Sequence, residues 1–279
     1  MKIIKKPKEM QKAALAEKKK GRRIALVPTM GFFHEGHLSL MREARRRADI
    51  LVVSNFVNPT QFGPKEDLAR YPRDFKRDCK LAEQIPVDIM FAPRNEDMYP
   101  TSFRTFVEVE GWGKVLCGMT RPTHFRGVTT IVLKLFNIVQ PDVAVFGWKD
   151  AQQFLILRRM VEDLNLPVEM VGGEIVREKN GLAMSSRNKY LTNEEFEDAS
   201  VINKTLKKAF VLIKEGADID AVRHFIIKSI SQTKYGKLDY VDFVSRSTLE
   251  PLEQIKKGDT LIALAVFFGK TRLIDNLRV

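Results

Sequence analysis

Apolar positions in the first part of the chain form short continuous runs that alternate with segments of helical periodicity. The runs predict buried strands over residues 24–28, 50–57, 87–91 and 143–146. The periodic segments predict helices over residues 36–48, 73–84, 127–139 and 150–163. Strands that are apolar throughout and alternate with helices are typical of a parallel sheet covered on both faces. The pattern therefore predicts a doubly wound, Rossmann-like α/β domain.

The pattern changes near residue 175. One long helix is predicted over residues 194–216, with Thr192 as its N-cap and Gly216 at its end. A second helix is predicted over residues 219–232. Strand-like runs follow at residues 239–245, 260–267 and 271–276, the last two joined by a tight hairpin at Phe268-Gly269-Lys270. We therefore predict a Rossmann-like domain over residues 1–175 and a smaller α+β domain over residues 176–279.

Candidate chemistry begins where the first of these strands meets its helix. This corner carries the string Met30-Gly31-Phe32-Phe33-His34-Glu35-Gly36-His37. A helix N-terminus offers free backbone N–H groups and the positive end of the helix dipole to an anion. Two imidazoles beside such a terminus, with Gly36 allowing close approach to the backbone, suit a nucleoside triphosphate. The histidines could instead cap the helix or bind a metal, although no third His or Cys lies nearby in the sequence.

Two loops carry polar groups that fit either a ligand site or a plain polar loop. Asn58 and Gln61 follow the second predicted strand and supply neutral hydrogen-bonding groups. The segment Thr123-His124-Phe125-Arg126-Gly127-Val128 precedes a predicted apolar helix. Arg126 fits either a position facing an acid substrate or a structural position on the surface. Ligands in open α/β sheets bind at the carboxyl ends of strands, which favours a ligand role for the first loop.

Two further segments carry cations and hydroxyls. The string Gly147-Trp148-Lys149-Asp150 opens a helix after a buried strand, and Lys149 there can reach a phosphate. Asp150 can either cap this helix or accept a hydrogen bond from a ribose hydroxyl. The string Met184-Ser185-Ser186-Arg187-Asn188 combines two hydroxyls with a guanidinium, a combination that can clamp phosphate.

These motifs together resemble those of the pantothenate synthetase (pantoate–β-alanine ligase) family. H-x-G-H after a strand is similar to the nucleotide-binding signature of the nucleotidyl-transfer superfamily. The fuller string from Pro28 to Leu38 is more specific, because it resembles this one family within that superfamily. The loop at Asn58 matches the family pattern V-N-P-x-Q-F. The string M-S-S-R-N is the family's version of the mobile K-M-S-K-S loop of class I aminoacyl-tRNA synthetases. Trp148 and Ala151 depart from the Glu and Tyr common in the family, but the neighbouring polar residues match.

The resemblance implies an ATP-dependent condensation of (R)-pantoate with β-alanine. The products would be pantothenate, AMP and pyrophosphate, formed through a pantoyl adenylate in coenzyme A precursor biosynthesis. The family also implies Mg²⁺, whose protein ligands it leaves unknown here, a homodimer, and closure of the second domain over the site.

The resemblance further implies a role for each motif residue. The implied nucleotide-binding residues are Met30, Gly31, Phe32, Phe33, His34, Glu35, Gly36, His37, Gly147, Trp148, Lys149, Asp150, Val176, Met184, Ser185, Ser186 and Arg187. Five of these would stabilise charge during catalysis: His34, His37, Lys149, Ser185 and Arg187. Those implied for the acid substrate are Asn58, Gln61, Arg126 and Gln153.

The composition fits a folded cytoplasmic protein. With 44% hydrophobic residues among 279, the chain can form one large or two modest cores. Its two cysteines, Cys79 and Cys117, lie far apart without metal spacing, which predicts a reducing compartment and no disulfide framework. The sequence shows neither a signal-peptide core nor an apolar run of membrane-spanning length. A cytoplasmic location without membrane contact is therefore predicted.

The formal net charge of +12 admits several anionic partners. Two alternatives to the ligase stay open: another adenylyl- or cytidylyltransferase of the same superfamily, and a basic RNA-binding protein. Gln61, Gln153 and the M-S-S-R-N string argue against the first. The second would call for basic strands interleaved with aromatic residues or a known RNA motif, and the sequence has neither. No nucleic-acid partner is therefore predicted.

Overall fold

In the computed structural model, which describes residues 1–64 and 66–279, six strands form one parallel sheet. They are β1 (Lys2–Ile4), β2 (Ile24–Thr29), β3 (Ile50–Asn55), β4 (Ile89–Phe91), β5 (Val143–Gly147) and β6 (Glu169–Gly173). Their order is β1-β4-β3-β2-β5-β6, and all neighbours are parallel. The direction of winding reverses between β2 and β5. In such sheets ligands bind at the carboxyl ends of the strands beside that reversal.

The same part of the chain also forms helices, and some of them contribute to the core of the sheet. The helices are α1 (Pro7–Lys19), α2 (Glu35–Arg45), α3 (Phe75–Glu83), α4 (Asn95–Met98), α5 (Cys117–Thr120), α6 (His124–Val139) and α7 (Ala151–Asp163). Short 3-10 helices lie at Pro59–Gln61, Asp67–Ala69, Trp112–Lys114 and Trp148–Asp150. Met41 of α2 and Ala82 of α3 are fully buried in one apolar cluster with Val27 of β2 and Val53 of β3. The predicted doubly wound α/β architecture is confirmed.

The later part of the chain forms a three-stranded antiparallel sheet with helices. Its elements are α8 (Asn193–Asp198), α9 (Val201–Lys214), α10 (Ile219–Ser231), β7 (Gly236–Ser245), β8 (Thr260–Phe268) and β9 (Thr271–Arg278), with a 3-10 helix at Ser186–Tyr190. The strand order is β7-β8-β9. Ile202, Leu206, Ile226, Phe243 and Leu264 lie in its core and are each at most 2% exposed.

The prediction of one long helix over residues 194–216 is wrong, because the helix breaks between α8 and α9. Thr192 is the N-cap, as predicted, and forms a capping box with Glu195. At the break, the Asp198 carboxylate accepts a hydrogen bond from the Tyr235 N–H at 2.9 Å. This bond from the segment before β7 fixes the end of α8, and the polar residues Asp198 and Ser200 weaken helix continuation there.

Contacts divide the chain into two compact units. The first unit comprises Met1–Lys114, Gly118–Trp148 and Ile156–Glu174, and the second comprises Val115–Cys117, Lys149–Leu155 and Ile175–Val279. The assignment of nucleotide and pantoate binding to one domain, and of closure to the other, stays a prediction. Within the described ranges, no helix has both the length and the apolar character needed to cross a lipid bilayer.

Candidate functional site

The loop after β2 has a conformation that its own sequence disfavours. Gly31 and Phe32 have φ angles of +81° and +54°, and the left-handed region is costly for a residue such as Phe32. Gly31 is required because a Cβ there would lie 2.6 Å from Asn55 Oδ1. The buried Asp78 carboxylate of α3 accepts hydrogen bonds from the Phe32 and Phe33 N–H groups at 2.8 and 2.7 Å. Helix α3 therefore fixes the loop.

His34 and His37 cap helix α2 with their Nδ1 atoms. The Gly36 N–H donates to His34 Nδ1 at 3.2 Å, and the His34 N–H donates to His37 Nδ1 at 3.3 Å. A backbone N–H can only donate, so both Nδ1 atoms act as acceptors. In a neutral ring the proton then resides on Nε2. The two rings, with centroids 4.1 Å apart, thus carry donors on the nitrogens suited to a phosphate.

Most of the backbone N–H groups at this helix mouth already have acceptors within the protein. The N–H groups of Phe32 and Phe33 donate to Asp78, and that of Gly36 donates to His34 Nδ1. The His37 N–H donates to the His34 carbonyl at 2.8 Å. Any attraction for an anion at this corner therefore rests chiefly on the two imidazoles and the helix dipole.

The Asn58 and Gln61 side chains are buried, and their orientation follows from their partners. Asn58 Nδ2 donates to the Gly127 carbonyl at 3.1 Å, which can only accept. Asn58 Oδ1 accepts from the hydroxyls of Thr60 and Tyr99 at 2.9 and 2.8 Å. Burial raises the pKa of Tyr99 to about 12, which keeps this hydroxyl protonated. Asn58 Nδ2 also donates to Gln61 Oε1 at 3.0 Å, and Gln61 Nε2 donates to Met30 Sδ at 3.2 Å, so one of the two amide N–H groups of Gln61 remains for a ligand.

The backbone of Gln61 is held by a second set of contacts. His124 Nδ1 lies 2.8 Å from the Gln61 carbonyl, and His124 Nε2 lies 3.2 Å from the Arg121 guanidinium. Arg121 can only donate, so Nε2 accepts and Nδ1 carries the proton that is donated to Gln61. Burial alone would raise the pKa of Glu66, but its ion pair with Arg121 holds that pKa below its ordinary value.

A glycine and a cavity shape this part of the site. A Cβ on Gly127 would lie 2.3 Å from the Thr60 carbonyl oxygen, so only glycine lets α6 approach the 3-10 helix at Pro59–Gln61. A cavity of about 410 Å³ lies beside the loop after β2. Its lining includes Met30, Gly31, Asn55, Pro59, Arg73 and Asp78. Met30 and Gly31, two of the predicted nucleotide-binding residues, therefore border a space large enough for a small ligand.

Arg126 lies on the exposed side of the first turn of α6. The helix begins at His124, so the segment predicted to precede the helix is already helical. The Arg126 guanidinium carbon lies 4.0 Å from the centroid of the Phe106 ring, which is 40% exposed. This placement matches the surface alternative, and the substrate role of Arg126 stays a prediction.

In the segment after β5, Trp148 is buried, whereas the next two residues, Lys149 and Asp150, are polar and partly exposed. Trp148 Nε1 would lie 2.3 Å from a Cβ at Gly172, so the indole packs against that glycine. Lys149 Nζ lies 3.4 Å from Asp150 Oδ1. The Asn276 side chain of β9 donates to the Lys149 carbonyl at 3.2 Å. This bond fixes the backbone of the residue that carries the ammonium group.

Adjacent glutamines at the start of α7 have different environments. The Gln152 amide accepts from the Cys117 N–H at 3.1 Å and donates to the Val115 carbonyl at 2.8 Å. Gln153 is half-buried, and none of the described residues is hydrogen-bonded to its amide. Gln152 is therefore structural, whereas Gln153, the predicted substrate ligand, keeps its hydrogen-bonding capacity.

The Met184–Arg187 segment is bonded at its start to Val176 and contains an internal hydrogen bond. The Met184 N–H donates to the Val176 carbonyl at 3.0 Å, and Ser185 Oγ accepts from the Arg187 N–H at 3.3 Å. Arg177 beside Val176 binds the buried Asp275 carboxylate of β9 through two hydrogen bonds of 2.6 and 3.1 Å. Strand β9 therefore supports both this segment and the Lys149 backbone.

Of the supporting residues, Tyr99 and Asp275 have no local signal in the sequence. Asp78, Tyr99 and Asp275 each lie 41 to 98 residues from the group that they hold. Asp78 alone leaves a trace, because it occupies the buried face of α3 together with Ala82. A carboxylate at such a position of an amphipathic helix indicates an internal hydrogen-bonding partner.

Comparisons with known proteins give one consistent family. A family model described as pantoate-beta-alanine ligase matches residues 2–278. The pantothenate synthetase of Acetivibrio thermocellus is 53% identical over 280 residues, which cover 100% of this chain and 99% of that protein. A crystal structure of pantothenate synthetase from Thermus thermophilus matches with a TM-score of 0.94 at 42% identity, covering 100% of this chain and 99% of that one. The pantoate-beta-alanine ligase of Francisella tularensis, complexed with beta-gamma ATP and β-alanine, matches with a TM-score of 0.80 at 31% identity, covering 100% and 97%.

Proposed function

The chain belongs to the pantoate–β-alanine ligase family, and from this we propose that it joins pantoate to β-alanine while converting ATP to AMP and pyrophosphate. The observation that carries the proposal is the pair of histidines at the carboxyl end of β2. In their neutral form both carry an Nε2 donor at the start of α2, which suits the binding of a triphosphate.

In the first step a pantoate carboxylate oxygen attacks the α-phosphorus of ATP, and pyrophosphate leaves. Negative charge then grows on the departing phosphates. We propose that His34 and His37 donate to these oxygens from Nε2, and that Lys149 adds a positive charge. Ser185, Ser186 and Arg187 would complete the donors. Fixed donors that meet developing charge lower the barrier without reorganising solvent.

In the second step the β-alanine amine attacks the acyl carbon of pantoyl adenylate, AMP leaves, and the amine nitrogen loses a proton. Gln61 and Gln153 would hold the pantoyl group during both steps. Gln61 would act as a donor, because Asn58 already occupies its oxygen. A neutral amide orients a carboxylate without neutralising the oxygen that must attack.

Three finer features belong to the same proposal. Among residues 1–64 and 66–279, no three His, Cys, Asp or Glu side chains cluster to hold a metal, and this donor set fits Mg²⁺ held chiefly by nucleotide phosphates and water. The ion would supply charge neutralisation on the phosphates.

We also propose a homodimer, which rests on the family alone, and a cytoplasmic location, which the reduced thiols of Cys79 and Cys117 support.

Isotope exchange tests the two-step reaction. With pantoate present and β-alanine absent, labelled pyrophosphate is expected to enter ATP, because adenylation is reversible and needs no amine. Exchange that strictly requires β-alanine would contradict the adenylate. Pantothenate must also appear once β-alanine is added. A nucleotidylyltransferase of the same superfamily would release pyrophosphate but leave the amine unused.

Gln61→Glu is expected to raise the pantoate KM about ten- to a hundredfold and to leave ATP affinity nearly unchanged. The change keeps the side-chain shape but replaces the Nε2 donor with an oxygen that opposes the acid substrate. Steady-state kinetics and calorimetric ATP binding without pantoate measure the two effects. The exposed Gln84→Glu is the matched control. A large loss of ATP affinity in the folded Gln61 variant would assign this residue to the wrong substrate.

A further inference from the structure

We propose that Asp78 is a positioning residue for the nucleotide loop, formed by Met30, Gly31, Phe32 and Phe33. Its carboxylate is 1% exposed and lies on α3, outside every motif of the proposed site. It accepts three hydrogen bonds, from the N–H groups of Phe32 and Phe33 and from Asn55 Nδ2 at 2.9 Å. The inference rests on the proposed function only in taking the ligand of this loop to be ATP.

The loop needs this support because its backbone is unfavourable. Phe32 occupies the left-handed region, where its Cβ is crowded, and Gly31 before it has the same sign of φ. Without a partner, the Phe32 and Phe33 N–H groups would favour a different backbone that satisfies them elsewhere. The carboxylate instead holds both at once, which neither a hydroxyl nor an amide oxygen on a single side chain can do equally well.

The loop connects directly to the proposed phosphate ligands. Phe33 immediately precedes His34, the N-cap whose ring receives the Gly36 N–H. Arg77, the neighbour of Asp78, donates to the Phe33 carbonyl at 2.9 Å and lies 5.3 Å from the Phe32 ring centroid. One turn of α3 therefore determines where the histidine pair begins. If only a fraction of the molecules has this loop conformation, the apparent affinity for the ligand is reduced in proportion to that fraction.

Asp78→Asn tests the proposal with almost no change in volume. Three donors converge on the Asp78 oxygens, and the amide nitrogen of asparagine would face one of them as a further donor. We expect the ATP Kd, measured by calorimetry without pantoate, to rise about tenfold. The kcat at saturating substrates and the pantoate KM should remain within about twofold, because the bound state still adopts the loop. Loss of stability alone would not produce this division.

Asp142→Asn is the matched control. Asp142 accepts from the Ile24 N–H at 2.7 Å, at the start of β2 and therefore at the opposite end of the sheet. This variant should keep the wild-type ATP Kd even where its melting temperature falls. A folded Asp78→Asn variant with unchanged ATP Kd would overturn the positioning role. So would a fall in kcat at saturation equal to the rise in Kd.

Hydrogen exchange in the wild-type protein keeps the proposal testable if Asp78→Asn does not fold. The amide protons of Phe32 and Phe33 are expected to be protected in the absence of nucleotide, because the carboxylate binds them in the free protein. Exchange at the rate of an open loop would overturn the proposal. Wild-type protein that fails to bind ATP would contradict the proposed function instead, and the protection of these amides would remain a separate result.

Discussion

His37→Asn is expected to slow adenylation of pantoate by at least about a hundredfold, while the protein stays folded. Loss of one fixed donor to a developing charge has a cost of this size. The asparagine oxygen takes the place of Nδ1 and can still accept the His34 N–H, so the cap of α2 survives. The Nε2 donor is lost. The rate of pyrophosphate exchange with pantoate measures the effect.

Two further variants separate the cap from the phosphate contact. His37→Gln places an amide N–H near the former Nε2 position but gives up the Nδ1 acceptor, so it should retain more exchange activity than His37→Asn. The exposed His224→Ala on α10 removes an imidazole outside the proposed site and should leave exchange unchanged. If His37→Asn and the wild type exchange equally, the imidazole has only a capping role. Attack of β-alanine on supplied pantoyl adenylate should suffer much less than adenylation.

Arg177→Met is expected to destabilise the second unit by about 3 kcal/mol. The Asp275 carboxylate is 1% exposed, and loss of its bidentate partner leaves a buried charge that is poorly compensated. The N–H of Asn276 would still donate to Asp275 at 2.8 Å, which limits the loss. Native-state hydrogen exchange of the buried β8 amides measures the free energy of opening in this unit.

The pair has a matched surface counterpart and a compensating variant. Arg159 and Asp163 form an ion pair within α7, with side chains 44% and 43% exposed, and Arg159→Met should cost less than about 1 kcal/mol. Arg177→Met combined with Asp275→Leu removes both charges and should recover most of the lost stability. A small effect of Arg177→Met alone would show that Asp275 is compensated by groups other than Arg177. The Arg177 variant should also bind ATP more weakly if the Met184–Arg187 segment contacts phosphate.

The architecture of the first unit could be predicted because a parallel strand that is buried on both faces appears in the sequence as a continuous apolar run. Strands β2, β3 and β5 appear in the sequence as apolar runs, and the structure pairs them in parallel. Strand β6 left no such trace, since Glu169–Gly173 contains two glycines and its residues are at best half-buried. Its identity depends on pairing with β5, which the local sequence does not encode.

The break between α8 and α9 has a similar origin. The periodicity of residues 194–216 continues through Ala199, so the sequence predicts a single helix. The contact that ends α8 comes from Tyr235, 37 residues away. Helical periodicity shows which face of a helix is buried. It does not show where a hydrogen bond from a distant residue ends the helix.

The sequence by itself determined the strand-to-helix corners and the residue types placed there, because turn chemistry, strand burial and helix starts depend on neighbours along the chain. The histidine pair, the Asn58–Gln61 loop and the Lys149 and Met184–Arg187 segments could all be identified in this way. Only the tertiary structure decided which atoms these residues present. The Nε2 tautomers, the donor role of Gln61 and the support from Asp78 and Asp275 depend on hydrogen-bond partners. Asp78 lies 46 and 45 positions from Phe32 and Phe33, and Asp275 lies 98 positions from Arg177. A polar atom in a buried site takes its role from the partner it meets, and folding alone determines that partner.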